Sequence, residues 1–190
     1  MLLLVTGIIV FIGIHSASVV ALPLRDRLAA KNELAWKGFY SLVSLVGIVL
    51  ICIGYGEARL EPVVLYSTPA WMRHVAGLLM LPFFVFFLAS LFPGRISRAV
   101  KHPLLISAKT WALSHLLVNG TLADVLLFGS FLAWAVMVRI SLKSREPRKI
   151  PTAPETAMND AIALLGGLGL YAGTVLWWHE SLIGVATFVR

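Results

Sequence analysis

The chain consists of apolar runs of about 20 residues separated by short polar segments. A helix needs about 20 mostly apolar residues to cross the hydrocarbon core of a bilayer, and a membrane barrel would show a period-two alternation that is absent here. Hydrophobic residues make up 59% of the chain and charged residues 13%, about half the charged fraction of a soluble domain. We therefore predict an all-α, polytopic transmembrane helical bundle of about six helices. They form a single membrane domain over residues 1–190, with helices near 2–22, 39–56, 71–92, 103–118, 122–141 and 159–178.

The basic residues are distributed unevenly between the connecting segments. If the six predicted helices alternate in direction, Arg59, Arg73 and Arg190 fall on one side, and the other 13 of the 16 Lys and Arg residues fall on the opposite side. The positive-inside rule then predicts a bacterial inner (plasma) membrane protein with both termini periplasmic and three basic loops cytoplasmic. The cytoplasmic set is Arg25, Arg27, Lys31, Lys37, Arg95, Arg98, Lys101, Lys109, Arg139, Lys143, Arg145, Arg148 and Lys149.

This charge pattern also bears on partners and on the least apolar helix. Short basic clusters between apolar runs are typical of membrane proteins, so the net charge of +7 indicates a lipid bilayer as partner and not nucleic acid.

The helix near 103–118 is short and carries Lys109, but removing it would destroy the alternation of charge. We therefore keep it as a span.

Smaller features concern the local structure. Asn119-Gly120 is a turn signal between the fourth and fifth helices, and Asp124 is placed to cap the fifth. Cys52, the single cysteine, lies in an apolar run and is expected to be a small core residue. Residues 181–189 are too few to span; they either lie along the interface or extend the sixth helix.

Two of the five histidines fall deep inside predicted helices. His15 and His115 lie about 20 Å along the first and fourth helices, at similar predicted depths. Neutral imidazole is a common metal ligand and an axial ligand of haem iron. The alternative is that each imidazole hydrogen-bonds across a helix interface. A tetrahedral zinc set is less favoured because Cys, Asp and Glu are absent nearby. His74 and His179 are expected to anchor the interface.

The stretch 102–120 resembles the signature of the NnrU family of bacterial membrane proteins. The matching elements are His102-Pro103, Trp111, His115-Leu116-Leu117, Asn119-Gly120 and Leu126–Gly129, with His15-Ser16, Arg25 and Trp36–Leu42 agreeing nearer the start. The resemblance implies a role in denitrification, supporting nitrite and nitric oxide reduction. The family is also similar to 15-cis-zeta-carotene isomerase, a membrane protein with haem b whose axial histidines match His15 and His115. Ala112 stands where that enzyme has a cysteine, so carotene isomerisation is not carried over.

These observations lead to one main hypothesis and two alternatives. The main hypothesis is an inner-membrane protein that binds haem b, with His15 and His115 as metal ligands and Trp111, Asn119 and His102 as further cofactor-binding residues. Nitrite or nitric oxide reductase components are the expected protein partners. The first alternative is a non-enzymatic accessory or assembly protein without cofactor. The second is a membrane isomerase or methyltransferase acting on a lipid-like substrate, since Lys101-His102-Pro103 resembles the Arg-His-Pro of isoprenylcysteine-type methyltransferases. Catalytic residues are not assigned.

Overall fold

The computed structural model describes residues 1–144 and 152–188. It is all-helical apart from connecting segments and one isolated bridge within those residues, which confirms the predicted helical bundle. Four of the basic residues that were assigned to a side of the membrane lie outside the described residues, namely Arg145, Arg148, Lys149 and Arg190. The helices are α1 (Leu2–Val20), α2 (Leu22–Lys31), α3 (Glu33–Ala58), α4 (Met72–Leu91), α5 (Arg95–Val100), α6 (Pro103–Leu116), α7 (Leu122–Ser141) and α8 (Asn159–Ile183).

Five of these helices are long and apolar enough to cross a membrane, namely α1, α3, α4, α7 and α8. Within their most apolar windows only 17–28% of the residues are buried inside the protein. Apolar side chains that a soluble protein would bury therefore face outward, and lipid is the solvent that accepts them. α6 has 14 residues and is shorter than a typical span.

The chain divides into two compact units. Unit 1 contains Met1–Tyr66 and Gly120–Arg145, and unit 2 contains Ser67–Asn119 and Glu146–Arg190. α1, α2, α3 and α7 belong to unit 1, whereas α4, α5, α6 and α8 belong to unit 2.

Glycines bring α1 and α3 close together in unit 1. A Cβ on Gly54 would lie 2.1 Å from the backbone nitrogen of Leu4, and a Cβ on Gly47 would lie 2.8 Å from that of Phe11. Gly7 on α1 approaches the backbone of α3 in the same way. Small residues are the usual means of close helix contact in membranes. Cys52, on the same helix, is exposed, so its predicted core position is wrong: it lies on an outward face of α3.

A polar junction fixes one end of unit 1. The backbone of residues 63–66 pairs with Gly120 and Leu122, through bonds that include Leu122 N to Val63 O at 2.8 Å and Leu65 N to Gly120 O at 2.8 Å. Thr121 and Asp124 form a capping box at the start of α7, which confirms Asp124 as a cap. Tyr55 of α3 donates to the Asp124 carboxylate at 2.6 Å.

In unit 2, α4 packs against α6 and α8. The buried Ser107 of α6 donates to the Phe83 carbonyl of α4 at 3.0 Å, and a Cβ on Gly167 of α8 would lie 2.8 Å from the Val85 backbone. α8 contains two π-helical segments, Ile162–Gly166 and Thr174–Trp178. Such segments are frequent at functional sites, and the second of them lines the pocket described below.

A second polar junction lies where α8 begins. The side-chain amide of the buried Asn159 donates to the carbonyls of Pro93 at 2.8 Å and Pro154 at 3.0 Å. The Asp160 carboxylate accepts from the backbone nitrogens of Arg95 and Ile96, both at 3.0 Å. These bonds hold the turn before α5 against the first turn of α8.

Candidate functional site

His15 lies on α1 within a cage of aromatic rings in unit 1. Its ring stacks on Phe11 with centroids 4.1 Å apart, lies 5.1 Å from the ring of Tyr40 on α3, and meets Trp134 of α7 edge-on at 5.9 Å. Three helices therefore fix the position of this imidazole. Its Nδ1 lies 2.7 Å from the carbonyl oxygen of Phe11, one turn earlier.

Two polar groups beside this cage lack partners within the described part of the chain. The Nε1 of Trp134 and the hydroxyl of Ser16 are buried and make no hydrogen bond there, and Ser16 is 7% exposed. Buried polar atoms are nearly always paired, and an orphan often marks a group that the structure does not contain. The surroundings of His15 thus have polar capacity left for a ligand.

His115 repeats the local arrangement of His15. It lies in the last turn of α6, half-buried, with its Nδ1 2.9 Å from the Trp111 carbonyl and its ring 5.3 Å from the Trp111 ring. A carbonyl oxygen can only accept, so Nδ1 carries the proton in both histidines and the ring lone pair is on Nε2. Metal-binding histidines usually show this arrangement, in which the second nitrogen donates to a carbonyl.

A pocket of about 400 Å³ lies in unit 2 and includes His115 in its lining. Helices α4, α6 and α8 supply most of its wall, and the segment after α8 supplies the rest. Its polar lining groups are Arg73, Ser114, His115, Asn119, Tyr171, Thr174, His179 and Thr187. The remaining wall is apolar and includes Met80, Phe84 and Phe188.

Residues 185–188, which we call the strap, close part of this pocket. Gly184 adopts φ 74°, a left-handed conformation that ends α8 and turns the chain back. His179 Nδ1 then lies 2.7 Å from the Val185 carbonyl, and Thr187 Oγ1 donates to the Val175 carbonyl at 3.0 Å. Phe188 stacks on His74 with ring centroids 5.5 Å apart. The sequence left open whether residues 181–189 lie along the interface or extend the sixth helix. The helix extends as far as Ile183 and ends there.

The structure brings some of the predicted site residues together and separates others. Asn119 lines the pocket with His115, and its backbone nitrogen donates to the His115 carbonyl at 2.8 Å. Trp111 supplies the carbonyl that binds the His115 ring. His102 precedes α6 and lies 13 residues before His115, about 20 Å away along the helix. His102 is therefore not part of the lining, and its carbonyl accepts the backbone nitrogens of Leu105 and Ile106.

Sequence reasoning missed Arg73 and the strap as parts of a site. His179 was expected only to anchor the interface, yet it lines the same pocket as His115. The available signal was Arg73 itself, one of three basic residues on the side that is predicted to hold few positive charges. The strap had no comparable signal because its position depends on the turn at Gly184.

Comparison with protein families identifies the chain. A family model described as NnrU protein matches residues 3–187 of the 190. The chain belongs to the NnrU family. No match was found among curated proteins or solved structures. The matched range includes both histidine environments.

Three features of the described residues are compatible with haem. Both deep histidines hold Nδ1 on a backbone carbonyl and so offer Nε2 as a ligand. Aromatic and aliphatic side chains, which suit the apolar face of a porphyrin, surround each of them. An arginine stands in the pocket of His115, where it can pair with an acidic group. Among the described residues, no group of three or more His, Cys, Asp or Glu is placed to hold a metal ion.

Proposed function

We propose that this NnrU protein is an integral inner-membrane protein that binds haem b, with His15 and His115 as the iron ligands, and that supports the nitrite and nitric oxide reduction of denitrification. The observation that carries the proposal is the shared environment of the two histidines. Each is tied through Nδ1 to a carbonyl one turn earlier. In each, the protein satisfies the proton-bearing nitrogen and leaves the lone pair of Nε2 for a metal.

The roles of the individual residues follow from their contacts. The Phe11 and Trp111 carbonyls orient the two imidazoles and increase the basicity of Nε2. Tyr40 and Trp134 hold the ring of His15 from α3 and α7. Haem bound to two histidines supplies a centre for one-electron transfer. In this proposal both termini face the periplasm, the basic loops face the cytoplasm, and reductase components are the physiological partners.

The first experiment is an absorption spectrum of the detergent-purified protein, oxidised and then reduced with dithionite, after supplementation with haem. We expect a sharp Soret band and split visible bands in the wild-type protein and their loss or broadening in His15→Ala and His115→Ala. His102→Ala is the matched control, because that histidine lies at the other end of α6, and its spectrum should equal that of the wild type.

Two results would contradict the proposal. A featureless spectrum after haem loading would leave both histidines as structural groups and favour an accessory protein without cofactor. An unchanged spectrum in His15→Ala, with loss only in His115→Ala, would show that His15 is not an iron ligand.

A further inference from the structure

The pocket of unit 2 carries a positive charge that the described protein does not neutralise. Arg73 lines the pocket from the first turn of α4. Within residues 1–144 and 152–188, no carboxylate lies within ion-pair distance of its guanidinium.

Arg73 adds a second positive charge to the positive end of the α4 dipole. The start of a helix carries a partial positive charge, so an arginine in the first turn of α4 is repelled by the helix dipole. The charge distribution also predicts that this side of the membrane holds few basic residues. An anionic group in the pocket would offset both effects.

The remaining wall defines what else the ligand must contain. Ala76, Met80, Phe84 and Phe188 are apolar residues of the lining. His179 cannot donate to an anion in its neutral form, because its Nδ1 proton is directed to the Val185 carbonyl. Arg73 is a charged side chain in the lining and suits an acid, through the paired N–H bonds that guanidinium forms with a carboxylate.

We propose that the pocket lined by Arg73, His115 and the strap binds an amphipathic organic acid, with the acid's carboxylate on Arg73 and its apolar body against α4, α8 and Phe188. For the haem b of the proposed function that carboxylate is a propionate; this identification rests on the proposed function, whereas the binding of an acid does not.

The test compares acids with their neutral esters. Apo protein in detergent is titrated with haem b and with haem b dimethyl ester by the Soret band. Separate titrations use cis-parinaric acid and its methyl ester, followed by fluorescence. Wild-type protein should bind each acid at least about tenfold more tightly than its ester, because a hydrogen bond to a charged group contributes about 1.5 kcal/mol or more. Arg73→Gln should abolish that preference, and Arg73→Lys should retain part of it.

Arg59→Gln is the matched control, because Arg59 lies on the same predicted side but in unit 1, and it should behave as wild type. Arg73 is exposed, so its variants should fold, and equal thermal midpoints will verify this. An acid preference that persists in Arg73→Gln, or that is absent in the wild type, overturns the inference. If haem does not bind but parinaric acid binds in an Arg73-dependent way, the proposed function fails and the inference stands. If haem binds but the preference for acids does not depend on Arg73, the proposed function stands and the inference fails.

Discussion

At the scale of single residues, Asp124 is the buried acid whose hydrogen bonds hold one end of unit 1. It is 5% exposed and accepts from Tyr55 at 2.6 Å and from the Thr121 hydroxyl at 2.6 Å and backbone nitrogen at 2.9 Å. Tyr55→Phe should lower the free energy of unfolding by about 1–3 kcal/mol, since a buried acceptor loses a donor. The measurement is thermal or detergent-induced unfolding of the purified protein.

Tyr171→Phe is the control for this prediction. The Tyr171 hydroxyl makes no hydrogen bond within the described residues, so its removal should change stability by less than about 0.5 kcal/mol. Equal stability of the two variants would show that Tyr55 contributes nothing to holding Asp124.

The sequence predicts the residue contacts that are local and misses those that are not. The Thr121–Asp124 cap has a spacing of three residues, which can be recognised in the sequence. Tyr55 is 69 residues from Asp124, and only the packing of α3 beside α7 reveals the pair. Similarly, the bond from His115 to Trp111 follows from helical spacing, whereas the presence of Arg73 near His115 depends on how α4 packs against α6.

At the scale of elements, the contact between α1 and α3 depends on glycine at specific positions. Gly54→Ala would place a Cβ 2.1 Å from the Leu4 backbone nitrogen, and backbone atoms cannot move aside without separating the helices. We expect a loss of about 1–3 kcal/mol in the free energy of unfolding, as for other overpacked contacts. The thermal midpoint of the purified protein measures this loss.

Gly56→Ala is the matched control on the same helix. No atom lies within 4 Å of a Cβ at that position, and alanine favours helix relative to glycine. The midpoint of Gly56→Ala should therefore equal or exceed that of the wild type. A Gly54→Ala protein as stable as Gly56→Ala would contradict the close packing of the two helices.

The strap depends on the left-handed conformation of Gly184. Gly184→Ala should cost about 1 kcal/mol because a Cβ disfavours a positive φ, whereas Gly184→Asn should cost less. The strap would then open about fivefold more often in the alanine variant. Amide hydrogen exchange of peptides that cover residues 185–188 should be faster in Gly184→Ala and close to wild type in Gly184→Asn. Equal exchange in all three proteins would show that this turn does not hold the strap.

The apolar runs specify the long helices, but they do not specify the short ones. α2 and α5 were not predicted as helices because they are short, polar segments with 10 and 6 residues, which give no apolar run to recognise. α3 begins at Glu33, where Asn32 accepts from the Ala35 backbone nitrogen, earlier than the apolar stretch from 39 suggests. A cap can extend a helix beyond its apolar part, into the polar interface, where apolar content gives no information.

At the scale of the whole molecule, the number of membrane crossings depends on α6. Residues 63–66, which follow α3, pair with Gly120 and Leu122 at the start of α7. The chain therefore leaves and returns at the same membrane level between Tyr66 and Gly120. α4 alone would leave the chain on the opposite side, so we expect α6 to cross as well, although its 14 residues extend only about 21 Å.

Labelling of single cysteines tests this arrangement. In a Cys52→Ser background, Glu61→Cys and Leu117→Cys should react with a membrane-impermeant maleimide in intact cells. Glu61 precedes the paired residues 63–66 and Leu117 precedes their partner Gly120, all on the predicted periplasmic side. Ala99→Cys, an exposed position between α4 and α6, should react only after permeabilisation. If Leu117→Cys reacts together with Ala99→Cys, α6 does not cross the membrane, and the pairing of residues 63–66 with Gly120 cannot form. If Glu61→Cys and Leu117→Cys react only after permeabilisation while Ala99→Cys reacts in intact cells, the six crossings stand and the predicted orientation is reversed.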